Sequence, residues 1–95
     1  MERTTKGIWL EIIRVRSTKE TEGMVRAVIK TVKNDRTFEN AAEVRVFTNT
    51  VGDIAVHISW QSDRTVPEGS TVAIQLAAAL SEYGLINHTI WTEEV

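Results

Sequence analysis

Histidine is the residue type here that could exchange protons near neutral pH. The sequence of 95 residues has two histidines, His57 and His88, and no cysteine. His57 is a candidate general base or ligand contact, because alternation along its strand places it on the same sheet face as Glu11, near that residue on the neighbouring strand. The competing interpretation makes His57 an interface residue hydrogen-bonded to a carboxylate or hydroxyl. A lone histidine favours this structural role, and His88 is predicted to lie at a strand end on the surface.

The motifs that hold metals and cofactors are absent. Without cysteine there is no thiolate site and no disulfide, and the histidines lack the H-x-x-x-H spacing of a zinc site. The patterns G-x-x-x-x-G-K-[ST], G-x-G-x-x-G and G-x-S-x-G do not occur either. We therefore expect no metal and no cofactor.

Trp60 is the second candidate site residue. It ends a predicted strand on the core side, where it is either a large aromatic at the core edge or the wall of a ligand pocket. The loop 63–70 follows, and it leads into a helix N-terminus that could bind an anion. A single glycine and a single serine, Gly69 and Ser70, make this a weak anion-site signal.

The hydrophobic pattern predicts six elements that position these residues. Period-two alternation marks the strands, and an apolar stripe at i, i+4 and i+8 marks the first helix. An S-x-x-E capping box at Ser17 is expected to open that helix, and Gly84 to end the second one in a left-handed cap. The predicted elements are strand Gly7–Arg16, helix 18–33, strands Glu43–Asn49 and Asp53–Gln61, helix Thr71–Tyr83 and strand Asn87–Glu93.

The order βαββαβ predicts a ferredoxin-like α+β fold. In it, a four-stranded antiparallel sheet carries both helices on one face, with the first and third strands in the centre. Ninety-five residues make one domain, covering residues 1–95.

The sheet face without helices is predicted to be the site of self-association. Ile8, Leu10 and Ile12 are assigned to the helix side, so the opposite face is expected to be rich in aromatic and aliphatic side chains. Such a face is too apolar for open water, and a second copy of the chain would cover it in a two-fold homodimer. The predicted interface residues are Trp9, Ile13, Phe47 and Trp91.

Charge and hydropathy argue against two classes of partner. The formal net charge is −2, which gives no basic footprint for nucleic acid or an anionic membrane. No window is apolar and long enough to span a bilayer, and the first residues lack the apolar run of a signal peptide. The expected location is the cytoplasm.

The segment Ile58–Ser62 resembles the W-x-S segment of the antibiotic-biosynthesis-monooxygenase-like group, within the dimeric α+β barrel proteins. The resemblance implies that Trp60 walls a pocket between helices and sheet. It also implies a dimer, and members that oxidise aromatic substrates or degrade heme use combinations of Asn, Trp and His. This chain differs from the group at Trp9 and Glu11, where no pocket Asn stands, and its second helix has no histidine.

Three functions are open on these grounds, and the sequence does not decide whether the chain is an enzyme. The first is a small dimeric domain that binds a small ligand or acts as a regulatory module. The second is a cofactor-independent or heme-degrading monooxygenase of the dimeric barrel type. The third is a protein-interaction module that uses its apolar sheet face.

Overall fold

The computed structural model describes residues 8–34, 41, 43–61 and 67–94. Its element order is βαββαβ, which confirms the ferredoxin-like prediction. The elements are β1 (Ile8–Ser17), α1 (Glu22–Asn34), β2 (Glu43–Thr48), β3 (Ile54–Gln61), α2 (Thr71–Leu80) and β4 (Gly84–Thr92).

The four strands form one antiparallel sheet in the order β2-β3-β1-β4. Strands β1 and β3 are central, as predicted. Buried residues of both helices and of β1 and β3 form one hydrophobic cluster, so both helices pack on the same sheet face, here called the covered face. The opposite face is called the open face. The buried members of the cluster are Ile13, Val15, Val25, Ile29, Ile54, Val56, Ile58, Ala73, Leu76 and Leu80.

The predicted side-chain directions of β1 are wrong. Trp9, Ile13 and Val15 lie on the covered face and are at most 4% exposed, whereas Ile8 is 39% exposed. Both sets of alternate residues in β1 are apolar at the start of the strand, so the apolar pattern alone did not separate them. The discriminating residues are Arg14 and Arg16, which continue the Ile8 set and are exposed. Two guanidinium groups are costly to bury, and they fix that set on the open face.

The two predicted helix boundaries also shift for identifiable reasons. Ser17 pairs with Gly84 in the β1–β4 ladder, so it does not cap α1. The chain turns instead through Thr18 and Thr21, whose hydroxyls accept from each other's backbone N–H groups at 3.3 and 3.0 Å, respectively, and α1 begins at Glu22. Gly84 is the first residue of β4 rather than a helix cap, and a Cβ there would collide with the carbonyl oxygen of Arg16.

Neither described helix combines the length and the apolar character that crossing a membrane requires.

Candidate functional site

A fully buried carboxylate lies at the centre of the covered face. Glu11, in the middle of β1, is 0% exposed and accepts hydrogen bonds from three groups. The indole Nε1 of Trp60 donates to Oε2 at 2.8 Å, and the backbone N–H of Ser70 donates to Oε1 at 3.0 Å. His88 Nε2 lies 2.9 Å from the same Oε1. These partners come from β3, the start of α2 and β4, so the carboxylate connects three parts of the chain.

Strand register brings these side chains together. Trp9 faces Trp60 across the β1–β3 ladder, and Ile13 faces His88 across the β1–β4 ladder. Because side chains alternate along a strand, Glu11 lies between Trp9 and Ile13 on the same face. Its neighbours across the ladders therefore reach it from both sides.

The N-terminus of α2 completes the arrangement. Ser70 is the N-cap, with an extended backbone, and its hydroxyl accepts from the N–H of Ala73 at 3.1 Å. The N–H of Ser70 itself is left for Glu11, and a negative carboxylate there suits the positive end of the helix dipole. The sequence predicted that this helix start could bind an external anion, but in the structure the N–H of Ser70 binds the carboxylate of Glu11 instead. Residues 63–66 of the predicted loop lie outside the described ranges.

Gly69 covers the carboxylate and imidazole directly. Its φ of +95° is one that other residues rarely adopt, and a Cβ at this position would lie 2.7 Å from both Glu11 Oε1 and His88 Cε1. Glycine is therefore required on two independent grounds, backbone conformation and space.

Two tryptophans border the carboxylate. Trp9 and Trp60 stack with ring centroids 5.8 Å apart and an interplanar angle of 22°. The indole of Trp60 is engaged by Glu11, but the buried Nε1 of Trp9 has no hydrogen-bond partner among the described residues. A buried donor without an acceptor is unfavourable by about 1–3 kcal/mol.

The imidazole of His88 is partly accessible, with a side chain 17% exposed, while Glu11 is not. An ionised carboxylate only accepts hydrogen bonds, so opposite ionised Glu11 the Nε2 atom of His88 carries a proton. In neutral His88 the lone pair then lies on Nδ1, for which the described part of the chain offers no donor. The pair thus holds one imidazole nitrogen that has no partner among the described residues, in a ring positioned by a carboxylate.

The other predicted site residues lie elsewhere. His57 is on the open face beside Phe47, with ring centroids 4.5 Å apart, and burial lowers the pKa of its imidazole. It pairs in register with Ile12, so Glu11 and His57 face opposite sides of the sheet and the expected contact between them is wrong. The two ligand-pocket candidates, Trp60 and His57, are separated by the sheet in the same way.

The interface candidates divide between the two faces. Phe47 and Trp91 lie on the open face with 43% and 56% of their surface exposed. Trp9 and Ile13 were assigned to that face as well, but they are buried under the helices at 4% and 0% exposure. Their placement was wrong because β1 was read with reversed side-chain directions.

Sequence reasoning overlooked Glu11 as a centre and dismissed His88 as a strand-end residue. The sequence did contain one signal: Glu11 is a single carboxylate flanked by apolar residues in the interior of a strand. If such a carboxylate is buried, it needs hydrogen-bond partners. The distant donors of that carboxylate, His88 and the Ser70 N–H, have no local signature in the sequence.

A second buried carboxylate, Asp53, provides a contrast. It is 4% exposed and is approached by Arg16 at 3.4 Å, Arg14 at 3.8 Å and the side-chain amide of Asn49 at 3.3 Å. Asn49 also accepts from the backbone N–H groups of Val51 and Asp53, which fixes the β2–β3 turn. Asp53 therefore belongs to a hairpin turn, and its partners are two arginines and an amide rather than an imidazole.

The described residues contain no group of three or more His, Cys, Asp or Glu side chains that could hold a metal ion. One groove of about 280 Å³ lies between α1 and β2 and is lined partly by Arg26, Lys30 and Lys33. Another, of about 210 Å³, lies by Arg14 and Arg16. Neither groove includes Glu11 or its partners.

Comparison with known proteins gives similarity in structure and not in sequence. No family model matches the sequence, and no curated protein matches it. Among solved structures, the Mycobacterium tuberculosis protein Rv0793 superposes with a TM-score of 0.68 at 14% identity, over 93% of this chain and 96% of that one.

Two further structures agree. A Bacteroides thetaiotaomicron protein of unknown function, described as a possible oxidoreductase, has a TM-score of 0.64 at 10% identity, over 95% of this chain and 100% of its own. An antibiotic biosynthesis monooxygenase has a TM-score of 0.61 at 10% identity, over 92% and 97%. Identities this low establish the shared fold alone. In its fold, the chain therefore resembles the antibiotic-biosynthesis-monooxygenase-like proteins, as the Trp60 segment predicted.

Proposed function

We propose that this chain is a small-ligand-binding α+β domain that acts as a homodimer, with its ligand site at the Glu11–His88–Trp60–Trp9 cluster. The observation that carries the proposal is the buried Nε1 of Trp9, which has no hydrogen-bond partner among the described residues and lies on the same sheet face as the fully buried carboxylate of Glu11. Native structures rarely leave such a donor without an acceptor, and a bound molecule is one way to supply it.

The composition of the cluster limits the ligand. Trp60, which is partly exposed and stacks on buried Trp9, offers a flat apolar surface, which favours a planar ring. The Trp9 N–H needs an acceptor such as a carbonyl oxygen. Among the ion pairs of the described residues, Glu11 has no partner besides His88, so a second negative charge would be repelled. A flat, neutral molecule with a carbonyl group meets all three conditions.

Ligand titration followed by tryptophan fluorescence tests the site. A panel of neutral aromatic ketones is expected to change the emission of the wild-type chain, and Trp9→Phe is expected to weaken binding at least tenfold, since it removes the donor and keeps the ring. The matched control is Trp91→Phe, on the other face of the sheet. If no member of the panel binds, or if both variants lose affinity equally, the site is misplaced.

The proposed homodimer forms through the open face of the sheet. Phe47, Leu85 and Trp91 are 43%, 74% and 56% exposed there, and half-buried Leu10 and Ile12 lie beside them. Covering an aromatic side chain removes about 150–250 Å² from water, at about 25 cal/mol per Å². Two copies related by a two-fold axis would each contribute the same patch, which gives several kcal/mol before the entropy loss of association.

Sedimentation equilibrium tests the dimer. The wild-type chain is expected to sediment as a dimer at micromolar concentration, and Phe47→Ala with Trp91→Ala should shift it to monomer. Met24→Ala is the control, because Met24 is 50% exposed but lies on α1, away from the open face. A wild-type monomer that is recovered with a different chain would instead support a protein-interaction module.

A cofactor-independent monooxygenase is the second candidate function. The Trp9–Trp60 stack supports it, because it would hold a planar quinol against Trp60. Oxygen consumption with a quinol substrate tests this, and Trp60→Phe should abolish turnover. A heme-degrading reaction is less well supported, because iron needs an axial ligand and the Nε2 of His88 is already bound to Glu11.

A further inference from the structure

We propose that the outer edge of β2 and the basic side of α1 together bind an extended acidic segment of another protein as an added strand. The segment pairs its backbone with β2 and places acidic side chains, at alternate positions, beside α1. This surface is separate from the Glu11 cluster and from the open face, so it adds a partner to the proposed function.

Strand β2 lies at an edge of the sheet. The strand order is β2-β3-β1-β4, and the described residues place no strand on the outer side of β2. Five of its six residues are exposed. An edge strand presents a row of backbone N–H and C=O groups, and extended peptides bind to such edges by adding a strand.

The turn between β2 and β3 shows which backbone groups point outward. The N–H of Asn49 donates to the carbonyl of Asp53 at 3.2 Å, so these residues face each other as a hydrogen-bonded pair. Along an antiparallel ladder such pairs alternate with pairs that are not hydrogen-bonded. The register therefore turns the backbone groups of Val44, Val46 and Thr48 away from β3 and toward the outer edge.

The side of α1 next to this edge is basic. Arg26, Lys30 and Lys33 recur at i, i+4 and i+7, which places them on one side of the helix. Arg26 is paired with Glu22 at 3.1 Å, whereas Lys30 and Lys33 have no acidic partner among the described residues. These three cations line the groove of about 280 Å³ with Ile29, Asn34 and Val46.

The edge and the groove face the same incoming strand. Val46 lies on the covered face because it pairs with the core residue Val56, and alternation places Val44 and Thr48 there as well. On an added strand, the side chains opposite these three residues lie on that face too and enter the groove. The groove is smaller than the usual small-molecule pocket of about 300–1,000 Å³, so it suits a few side chains. Carboxylates at these positions meet the two lysines of α1.

Charge argues against a second copy of this chain as the added strand. Antiparallel pairing of two β2 strands across a two-fold axis puts both α1 helices on the same face, with their basic sides toward each other. Like charges placed opposite each other at an interface are unfavourable, so the charge pattern selects an acidic partner.

Fluorescence anisotropy with the full chain tests the inference. The probe is a fluorescein-labelled peptide of alternating threonine and glutamate, about six residues long, which is the length of a typical strand. It is expected to bind, and a peptide of the same composition with contiguous glutamates should bind about tenfold more weakly or worse, because its carboxylates are not all on one face. Absence of binding by the alternating peptide, or equal binding of both peptides, overturns the inference.

Charge reversal on α1 tests the groove. Lys30→Glu should weaken binding of the alternating peptide about tenfold or more, since it replaces attraction by repulsion. Lys19→Glu is the matched control, with the same change of charge at a lysine outside the groove, and should bind like wild type. Both lysines are exposed, so folding is expected to be unaffected. Equal affinities of the two variants would show that the peptide binds elsewhere.

N-methylated peptides test the backbone pairing. An added strand uses only alternate N–H groups toward β2, so methylation of one alternate set should abolish binding and methylation of the other set should not. If the two methylated peptides bind equally, the acidic segment does not pair with β2 and the added strand is overturned.

Discussion

The two faces of the sheet each carry side chains that a simple polarity rule would place on the other face. The covered face holds the carboxylate of Glu11 at 0% exposure, while the open face presents Trp91 at 56%. On the covered face the charge is matched by three donors from distant elements. On the open face the aromatic side chains have few partners among the described residues: the Nε1 of Trp91 donates to Thr89 at 2.9 Å, and Phe47 contacts His57.

This contrast separates two reasons for an unusual residue. Glu11 is tolerated inside because its hydrogen bonds are complete, whereas exposed Trp91 and Phe47 become favourable only if another surface covers them. The covered face is therefore expected to respond to mutation through folding, and the open face through association.

The largest difference is expected between two tryptophans. Trp9→Ala should lower the free energy of unfolding by about 3–5 kcal/mol, because it empties a buried site. Trp91→Ala should act on the dimer, so its effect on the denaturation midpoint should depend on protein concentration. Chemical denaturation at several concentrations measures both. Equal, concentration-independent losses would abolish the distinction between the faces.

Two glutamates give the next comparison. Glu11→Ala should lower the free energy of unfolding by about 3 kcal/mol or more, since it leaves three partly buried donors without their acceptor. Glu43→Ala should change it by less than about 1 kcal/mol, because its 2.7 Å ion pair with Arg45 is exposed. Urea titration gives both values. A small loss for Glu11→Ala would mean that water enters the site and replaces the carboxylate.

A comparison of two glycines measures how tightly the chain packs above the carboxylate of Glu11. Gly69 and Gly52 have nearly equal φ values of +95° and +92°, but a Cβ on Gly52 would meet nothing within 4 Å. Gly52→Ala should therefore be destabilised by conformation alone, by about 1–2 kcal/mol. Gly69→Ala should lose about 1–3 kcal/mol more, from overpacking against Glu11 and His88. Similar losses in thermal unfolding would show that the loop moves aside freely.

The smallest effect is expected from His57. Burial lowers the pKa of its imidazole in the folded chain below the ordinary value of 6.5. The unfolded chain then binds more protons in this range, so stability should fall as the pH drops below about 6.5, with no contribution from His57 at higher pH. His57→Gln should flatten this part of the pH profile of unfolding. An unchanged profile in that variant would assign the dependence to another group.

The fold was predictable because most of its signals are local. Alternation in β2 and β3 and the turn at Gly52 lie within a few residues of each other, and they fixed the hairpin and the order βαββαβ. The sequence did not predict correctly which side chains of β1 face the helices. Its two sets of alternate residues are similarly apolar, and they differ only when Arg14 and Arg16 are counted with the set that begins at Ile8. Trp60 was identified correctly as facing the covered side.

The site was less predictable, because its parts are far apart in the chain. Trp60, Ser70 and His88 stand 49, 59 and 77 residues from Glu11. Their meeting depends on the register of two ladders and on where α2 begins. A strand boundary misjudged by three residues, as at the start of β4, was enough to make His88 look like a surface residue.

The sheet order also has a consequence for synthesis on the ribosome. Strand β1 is central, but its neighbours are β3 and β4, and β4 is the last strand of the described chain, reaching back so that the N–H of Glu93 donates to the carbonyl of Ile8 at 2.9 Å. At about 5–20 residues per second, several seconds pass between translation of β1 and translation of β4. Until β4 has been translated, the nascent chain thus carries an apolar strand with one unpaired edge. A chaperone that shields unpaired strand edges would have to cover β1 until β4 emerges.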